Sequence, residues 1–195
     1  VLETVTRALR QYRFGSRDAA LAATIDADAA DWASAMAEGH WSVSDVVLQG
    51  TLAQTFKGHF TASREQIVFR ELLVRLNREE HLFGKVVLEP GSGRVWAEVD
   101  GQCVPATAFR MIGTEQPSWL ERLRFAAPLG FRAVLHPSPW QDWRKWHLEV
   151  ACEADGFTLR DMPVTRLAAR AVLRDRTVSV PSFAWEIGTG SVRET

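Results

Sequence analysis

"LFGKVVLEPGSGRVWAEV", from Leu82 to Val99, carries the strongest structural signal in the sequence, since two alternating runs flank a turn signal. One phase of these runs is apolar or glycine: Leu82, Gly84, Val86 and Leu88, then Val95, Ala97 and Val99. A period of two residues is typical of a β-strand, whose successive side chains point to opposite faces. Because the "GSG" at residues 91–93 supplies the turn, the stretch predicts a β-hairpin.

The same alternation returns along most of the chain from Trp41 onward. Its apolar phases lie in Leu72–Leu76, Phe131–Leu135, Trp146–Cys152 and Leu167–Leu173, and turn signals such as "VDGQ" and "EADG" separate them. Consecutive strands with one apolar and one polar face are typical of antiparallel hairpins. We therefore predict a mainly β fold, a long antiparallel meander over residues 41–195. Its apolar face must be covered, either by closing into a barrel, by packing as a sandwich, or by curling into a trough.

Residues 1–40 have a different pattern and predict a mostly helical N-terminal segment. Apolar residues recur there at helical spacing in two runs: Leu2, Val5, Leu9 and Tyr12, then Ala29, Trp32, Ala33 and Met36. The segment is rich in alanine, a strong helix former, and Gly39 fits a helix C-terminal stop. Between the two runs, "GSRDAALAATI" fits either an extended helix or a short strand.

Composition and charge exclude several classes of protein. The chain has 195 residues, of which 46% are hydrophobic and 24% charged, as in ordinary folded domains. Lys and Arg number 23 and Asp and Glu 24, for a formal net charge of -1. Since nucleic-acid binders use a basic excess to neutralise phosphates, we expect no nucleic-acid partner. Cys103 and Cys152 form no CxxC motif, and a disulfide between them stays open because it depends on the redox compartment.

Local motifs for catalysis or metal binding are absent from the sequence. No HxH or HExxH spacing occurs among the five histidines, which are His40, His59, His81, His136 and His147. There is no GxSxG elbow, no P-loop and no GxGxxG after a strand. The acids of "DADAAD" at 26–31 fit the start of a helix, and His147 with Glu149 fits two solvated groups on one strand. We therefore expect no enzymatic activity, no cofactor and no metal.

The segment "PSPWQDWRKWHLEV" at 137–150 holds three tryptophans within seven residues, namely Trp140, Trp143 and Trp146. Aromatic rings among basic side chains can stack nucleobases, bind a sugar or lie at a membrane surface, and they can also anchor the start of a strand. Trp146 is in phase with Leu148 and Val150, and the two prolines cannot donate ladder hydrogen bonds. This pattern favours the start of a strand, with Trp146 on the apolar face.

Two long passages are "GHFTASREQIVFRELLVRLNREEHLFGKVVLEPGSGRVWAEVDGQCVP" (58–105) and "WRKWHLEVACEADGFTLRDMPVTRLAARAVLRDRTVSVPSFAWEIGTGSV" (143–192). Both resemble the repeat region of AsmA-like and TamB-like bacterial envelope proteins, and the resemblance covers roughly residues 41–195. It implies a repeating β-groove without catalytic residues, in a periplasmic protein whose N-terminal helix anchors it in the inner membrane. It also implies a role in phospholipid movement or outer-membrane biogenesis, with envelope proteins of either membrane as partners. We expect this chain to be a section of such a longer protein.

Together these observations predict an open groove that handles lipid without chemistry, and a phospholipid or other acyl-chain ligand. The predicted lining is Leu72, Val74, Leu76, Val86, Leu88, Val95, Val99, Phe131, Leu135, Trp146, Leu148, Val150, Leu167 and Leu173. The alternative is a closed β-sandwich or barrel that binds carbohydrate or protein. An enzyme would instead need His or Asp side chains that converge from distant strands.

Overall fold

A computed structural model of the chain describes residues 13–14, 19–28, 30–48, 50–111, 123–125, 127–159, 162–187 and 190–194. The strands are β1 (Arg13–Phe14), β2 (Ala19–Asp28), β3 (Asp31–Leu48), β4 (Thr51–Ala62), β5 (Ile67–Arg75), β6 (His81–Glu89), β7 (Arg94–Cys103), β8 (Leu123–Phe125), β9 (Leu129–Pro139), β10 (His147–Leu159), β11 (Met162–Arg174), β12 (Thr177–Ile187) and β13 (Gly190–Glu194). One short helix, α1 (Pro105–Met111), follows β7, and a 3-10 turn (Trp143–Lys145) precedes β10.

All of these strands belong to one antiparallel sheet whose order follows the chain, β1-β3-β4-β5-β6-β7-β9-β10-β11-β12-β13. Two short additions lie beside this path, with β2 paired to β3 and β8 paired to β10. The predicted mainly β meander is therefore confirmed. The sheet is open, so the alternative of a closed barrel is wrong. Apart from α1 and the 3-10 turn, each described regular element is a strand of this sheet, so no described second sheet makes a sandwich.

Pairing brings the apolar phases of successive strands onto one face, called here the inner face. Directly paired residues share a face, and three rows of paired residues cross many strands without interruption. The rows are Phe60-Phe69-Val86-Ala97-Leu135-Leu148-Leu173, Leu72-Gly84-Val99-Ala133-Val150-Ala171 and Val74-Leu82-Gly101-Phe131-Cys152-Ala169-Phe183. The opposite, outer face carries most of the charged side chains. Some apolar side chains also lie there, among them the buried pair Val68 and Val87 and the pair Leu73 and Phe83.

The helix predicted around Trp32 and Met36 is wrong, because these residues lie in β3. Alanine favours a helix by only tenths of a kcal/mol per residue over most other residues. β3 instead pairs with β2 between Asp31 and Val43 and with β4 from Ala37 onward, and these ladders along the strand override the local preference. Asp28 accepts a hydrogen bond from the Ala30 N–H at 2.8 Å, so this acid stabilises a turn and not a helix start. The first predicted helical run and Ala29 lie outside the described residues.

Buried residues lie in two regions of the sheet. At the end where β5 and β7 stop and β4 starts, α1 contacts β4 and the buried residues are Val46, Thr51, Ala53, Leu76, Cys103 and Thr107. The other cluster joins β10 to β11 and consists of Ala154, Phe157, Val164 and Leu167. Phe125, Leu129, Phe183, Trp185 and Ile187 pack against it. Between these clusters most inner-face side chains are only half-buried.

Candidate functional site

Twelve of the fourteen residues predicted to line a groove lie on the inner face. Each of them either belongs to a row of paired residues or is two residues along its strand from one that does. The two exceptions lie just outside strands. Leu76 follows β5 and is 6% exposed, in the cluster near α1. Trp146 precedes β10 and is half-buried. Tertiary pairing thus assembles an apolar surface continuous from β5 to β11, while the lipid-lining role of these residues stays a prediction.

The exposure of these side chains distinguishes the inner face from an ordinary core. Val95, Leu135 and Leu167 are buried, whereas Val86, Val150 and most others of the set are half-buried. In a sandwich, a second sheet about 10 Å away would bury such a face completely. No described element provides that cover, and much of this apolar face stays partly exposed.

Aromatic residues that the sequence analysis did not include extend the inner face toward β3. The ring of Trp41 lies 5.8 Å from that of Phe56 and 5.6 Å from that of Phe69, both edge-on. The Trp41 ring lies across β4 at Gly58, and a Cβ added to Gly58 would lie 2.8 Å from that ring. The alternation of Phe56, Gly58 and Phe60 is present in the sequence and was the signal that could have placed them.

Two tryptophans of this face hold buried polar hydrogens. The indole N–H groups of Trp41 in β3 and Trp185 in β12 are buried and have no hydrogen-bond acceptor among the described residues. A buried indole N–H normally has a partner, because leaving it unpaired costs about 1–3 kcal/mol. Both N–H groups lie beneath the accessible surface, on strands near the two lateral edges of the sheet.

The tryptophan-rich segment forms the connection between β9 and β10. The indole N–H of Trp146 donates to the carbonyl oxygen of Pro139 at 3.0 Å, and the backbone N–H of Trp140 donates to the Gly93 carbonyl. These bonds fix the segment to the end of β9 and to the β6–β7 hairpin. They support the interpretation of a strand start anchored by aromatic side chains.

On the outer face, β9 brings His136 beside His147 and Glu149 of β10, the two residues that the sequence predicted to be solvated neighbours on one strand. His136 stacks on His147 with ring centroids 4.2 Å apart, and Nε2 of each ring faces the same oxygen of Glu149. The hydrogen bond from the Arg170 guanidinium, followed by that from His136, holds the pKa of the Glu149 carboxyl below its ordinary value. His147 and Glu149 are thus members of a network, and no local spacing motif could reveal the contribution of His136.

A separate depression of about 510 Å³ lies across β2 to β5. Its lining includes charged or polar side chains that point to the outer face, among them Glu38, His40, His59, Arg70 and Glu71. This polar lining does not suit an acyl chain. We therefore place the candidate lipid site on the apolar inner face and not here.

The two cysteines are free thiols on the inner face. Cys103 pairs with Leu129 of β9 and Cys152 with Phe131 of the same strand, so β9 separates them. Strands two apart lie about 9.6 Å from each other, which exceeds the limit of about 7 Å between the Cα atoms of a disulfide. Burial, together with the charge of Glu80, raises the pKa of Cys103 from 9.0 to about 11.

We expect Cys103 to resist alkylation in the folded chain. At pH 8 a pKa of about 11 leaves roughly 100-fold less thiolate than a pKa of 9.0, and only the thiolate reacts. In a Cys152→Ser variant, iodoacetamide should modify Cys103 at least about 100-fold more slowly in buffer than in guanidinium chloride. Intact-mass spectrometry over time measures both rates. Equal rates in the two solvents would contradict the buried position of Cys103.

Comparisons with the models of known protein families, with curated proteins and with solved structures found no match to this chain. No helix of the described residues has both the length and the apolar character needed to cross a bilayer. The functional argument therefore rests on the residues and geometry given above.

Proposed function

We propose that this chain is a non-enzymatic lipid-handling section of an AsmA-like envelope protein, and that its inner face binds acyl chains. The observation that carries the proposal is the inner face itself, which is apolar across at least seven strands and half-buried. Each methylene moved from water onto such a surface contributes about 0.8 kcal/mol. Holding a lipid this way needs no chemical step.

Curling of the open sheet into a groove belongs to this proposal. The ring of Trp41 in β3 reaches across β4 to that of Phe69 in β5, as side chains do on a concave surface. Helix α1 lies against β4 although it follows β7, three strands further along the sheet. Neighbouring strands lie about 4.8 Å apart, so both contacts favour a strongly bent sheet.

The resemblance to AsmA-like proteins supports a phospholipid as the ligand, with its acyl chains over the inner-face rows. By the same resemblance we propose a periplasmic location, a parent anchored in the inner membrane, and envelope proteins of the inner or outer membrane as partners.

Lipid binding is tested by native mass spectrometry of the purified chain after incubation with vesicles of phosphatidylethanolamine and phosphatidylglycerol. We expect the wild-type chain to carry added mass that matches phospholipid. Val86→Asp and Val150→Asp should lower the bound fraction at least tenfold, because each places a carboxylate among half-buried apolar side chains. Ala151→Asp is the matched control, since Ala151 is the exposed neighbour of Val150 on the outer face.

Circular dichroism must show that each variant is folded, and Val150→Thr, which keeps the shape of the side chain, should give a smaller loss than Val150→Asp. A wild-type chain without lipid mass, or a Val150→Asp chain that binds as much as wild type, would overturn the proposal.

A further inference from the structure

The two histidines on the outer face are held in register by the backbone of β9 and β10. Leu135 pairs with Leu148, which sets His136 opposite His147 across the two strands. The hydroxyl of Ser138, 2% exposed, donates to the His136 carbonyl at 2.7 Å and accepts from the His147 N–H at 3.2 Å. The same residue thus ties the backbones of both histidines together.

The side chains of these histidines converge on one carboxylate oxygen. Nε2 of His136 lies 3.1 Å from Oε1 of Glu149, and Nε2 of His147 lies 3.6 Å from it. A tetrahedral site with metal–ligand distances of about 2.0–2.1 Å separates its ligand atoms by about 3.3–3.4 Å. Both separations are within 0.3 Å or so of that spacing, and all three ligand atoms lie within 4.8 Å of one another.

Arg170 holds the carboxylate in place from its other oxygen. Its guanidinium nitrogen Nη2 hydrogen-bonds Oε2 of Glu149, which leaves Oε1 directed at the histidines. Ligating carboxylates commonly have such a supporting hydrogen bond, because it fixes their orientation.

We propose that His136, His147 and Glu149 form a binding site for a divalent transition metal, with Zn²⁺ as the best fit. Two imidazoles and one carboxylate suit Zn²⁺ better than Ca²⁺ or Mg²⁺, which prefer oxygen ligands throughout. Three protein ligands leave a coordination position for water or another ligand. The positive charge of Arg170 opposes the cation, so the affinity should be weaker than that of a four-ligand structural zinc site.

The position of the site gives the metal a structural consequence. Its ligands come from two strands in the second half of the sheet, and Arg170 adds a third strand, β11. A bound ion would therefore join β9 to β10 on the outer face, opposite the apolar rows. Because the metal binds only the folded arrangement, added Zn²⁺ should raise the melting temperature. This site does not depend on lipid binding by the inner face.

Isothermal titration of Zn²⁺ into the metal-free chain tests the proposal. We expect one equivalent to bind. His136→Ala and His147→Ala should each weaken binding at least about tenfold, because even the loss of a residue that only supports a ligand typically weakens metal affinity by about 10–100-fold. His59→Ala is the matched control. His59 also lies near a carboxylate, with its Nε2 3.6 Å from Oε2 of Glu71. Its ring is tilted against that of His40 at 5.9 Å, so these two histidines are not stacked as His136 and His147 are.

A Co²⁺-loaded sample gives a second readout, since visible d–d absorption reports nitrogen and oxygen ligands in a low-coordinate site. That absorption should be lost in His147→Gln, a variant that keeps most of the side-chain volume, and retained in His59→Ala. The proposal is overturned if folded His136→Ala and His147→Ala bind Zn²⁺ as tightly as wild type. It is equally overturned if His59→Ala loses as much affinity as His147→Ala.

Discussion

Phe157→Ala is expected to lower the free energy of unfolding by about 3–5 kcal/mol. Phe157 is 5% exposed in the cluster with Ala154, Val164 and Leu167, and its ring lies 5.5 Å from that of Phe125. Truncation removes this buried surface and leaves a cavity, because neighbours held by three paired strands cannot collapse into it. Urea unfolding followed by circular dichroism measures the change.

Phe83→Ala is the matched control for this experiment, since the same atoms are removed from a side chain that is 50% exposed. Its cost should be about 1 kcal/mol or less, because little apolar area returns to water. If both variants lose the same stability, Phe157 does not occupy a specific core, and the cluster that joins β8, β10 and β11 is not formed as described.

Gly84→Ala should be the second strongly destabilising change, with a cost of about 1–3 kcal/mol or more. A Cβ at Gly84 would lie 2.3 Å from the carbonyl oxygen of Glu98 and 3.1 Å from the Cα of Val99. Both are backbone atoms of β7, so relief requires the β6–β7 ladder to move. The pairing of Gly84 with Val99 lies in the middle of an inner-face row.

Gly91→Ala tests whether the effect comes from that close approach. Gly91 lies in the turn between β6 and β7, and an added Cβ there meets no atom within 4 Å. Its cost should be within about 0.5 kcal/mol of zero. Thermal unfolding of the two variants side by side gives the comparison, and a Gly84→Ala chain as stable as Gly91→Ala would refute the close packing of β6 on β7.

The sheet was predictable where alternation persists. Val86, Val99 and Val150 are in phase with their neighbours in the sequence, and each lies on the inner face in the structure. The prediction failed where tertiary pairing outweighs local preference, as at Trp32 and Met36. There the composition favours a helix, but both residues lie in β3, where Met36 pairs with Asp26 of β2.

Alternation also fails where the backbone changes phase. Gly156 has φ of 74°, and Ala154, two residues before it, and Phe157, directly after it, are both buried although they are three apart. The paired Val164 and Leu167 of β11 repeat that spacing. A period of two could not place Phe157 and Val164 in the core, because the shift depends on a conformation that the pattern does not encode.

By itself the sequence determined the fold class and the face on which most strand residues lie, because a period of two acts between neighbours in the chain. The tertiary structure decided that the sheet stays open, that Trp41 reaches Phe69, and that His136 and His147 meet at Glu149. These features depend on register between strands. Residues 11 or more apart in the chain become neighbours only after the hydrogen-bond ladders have formed.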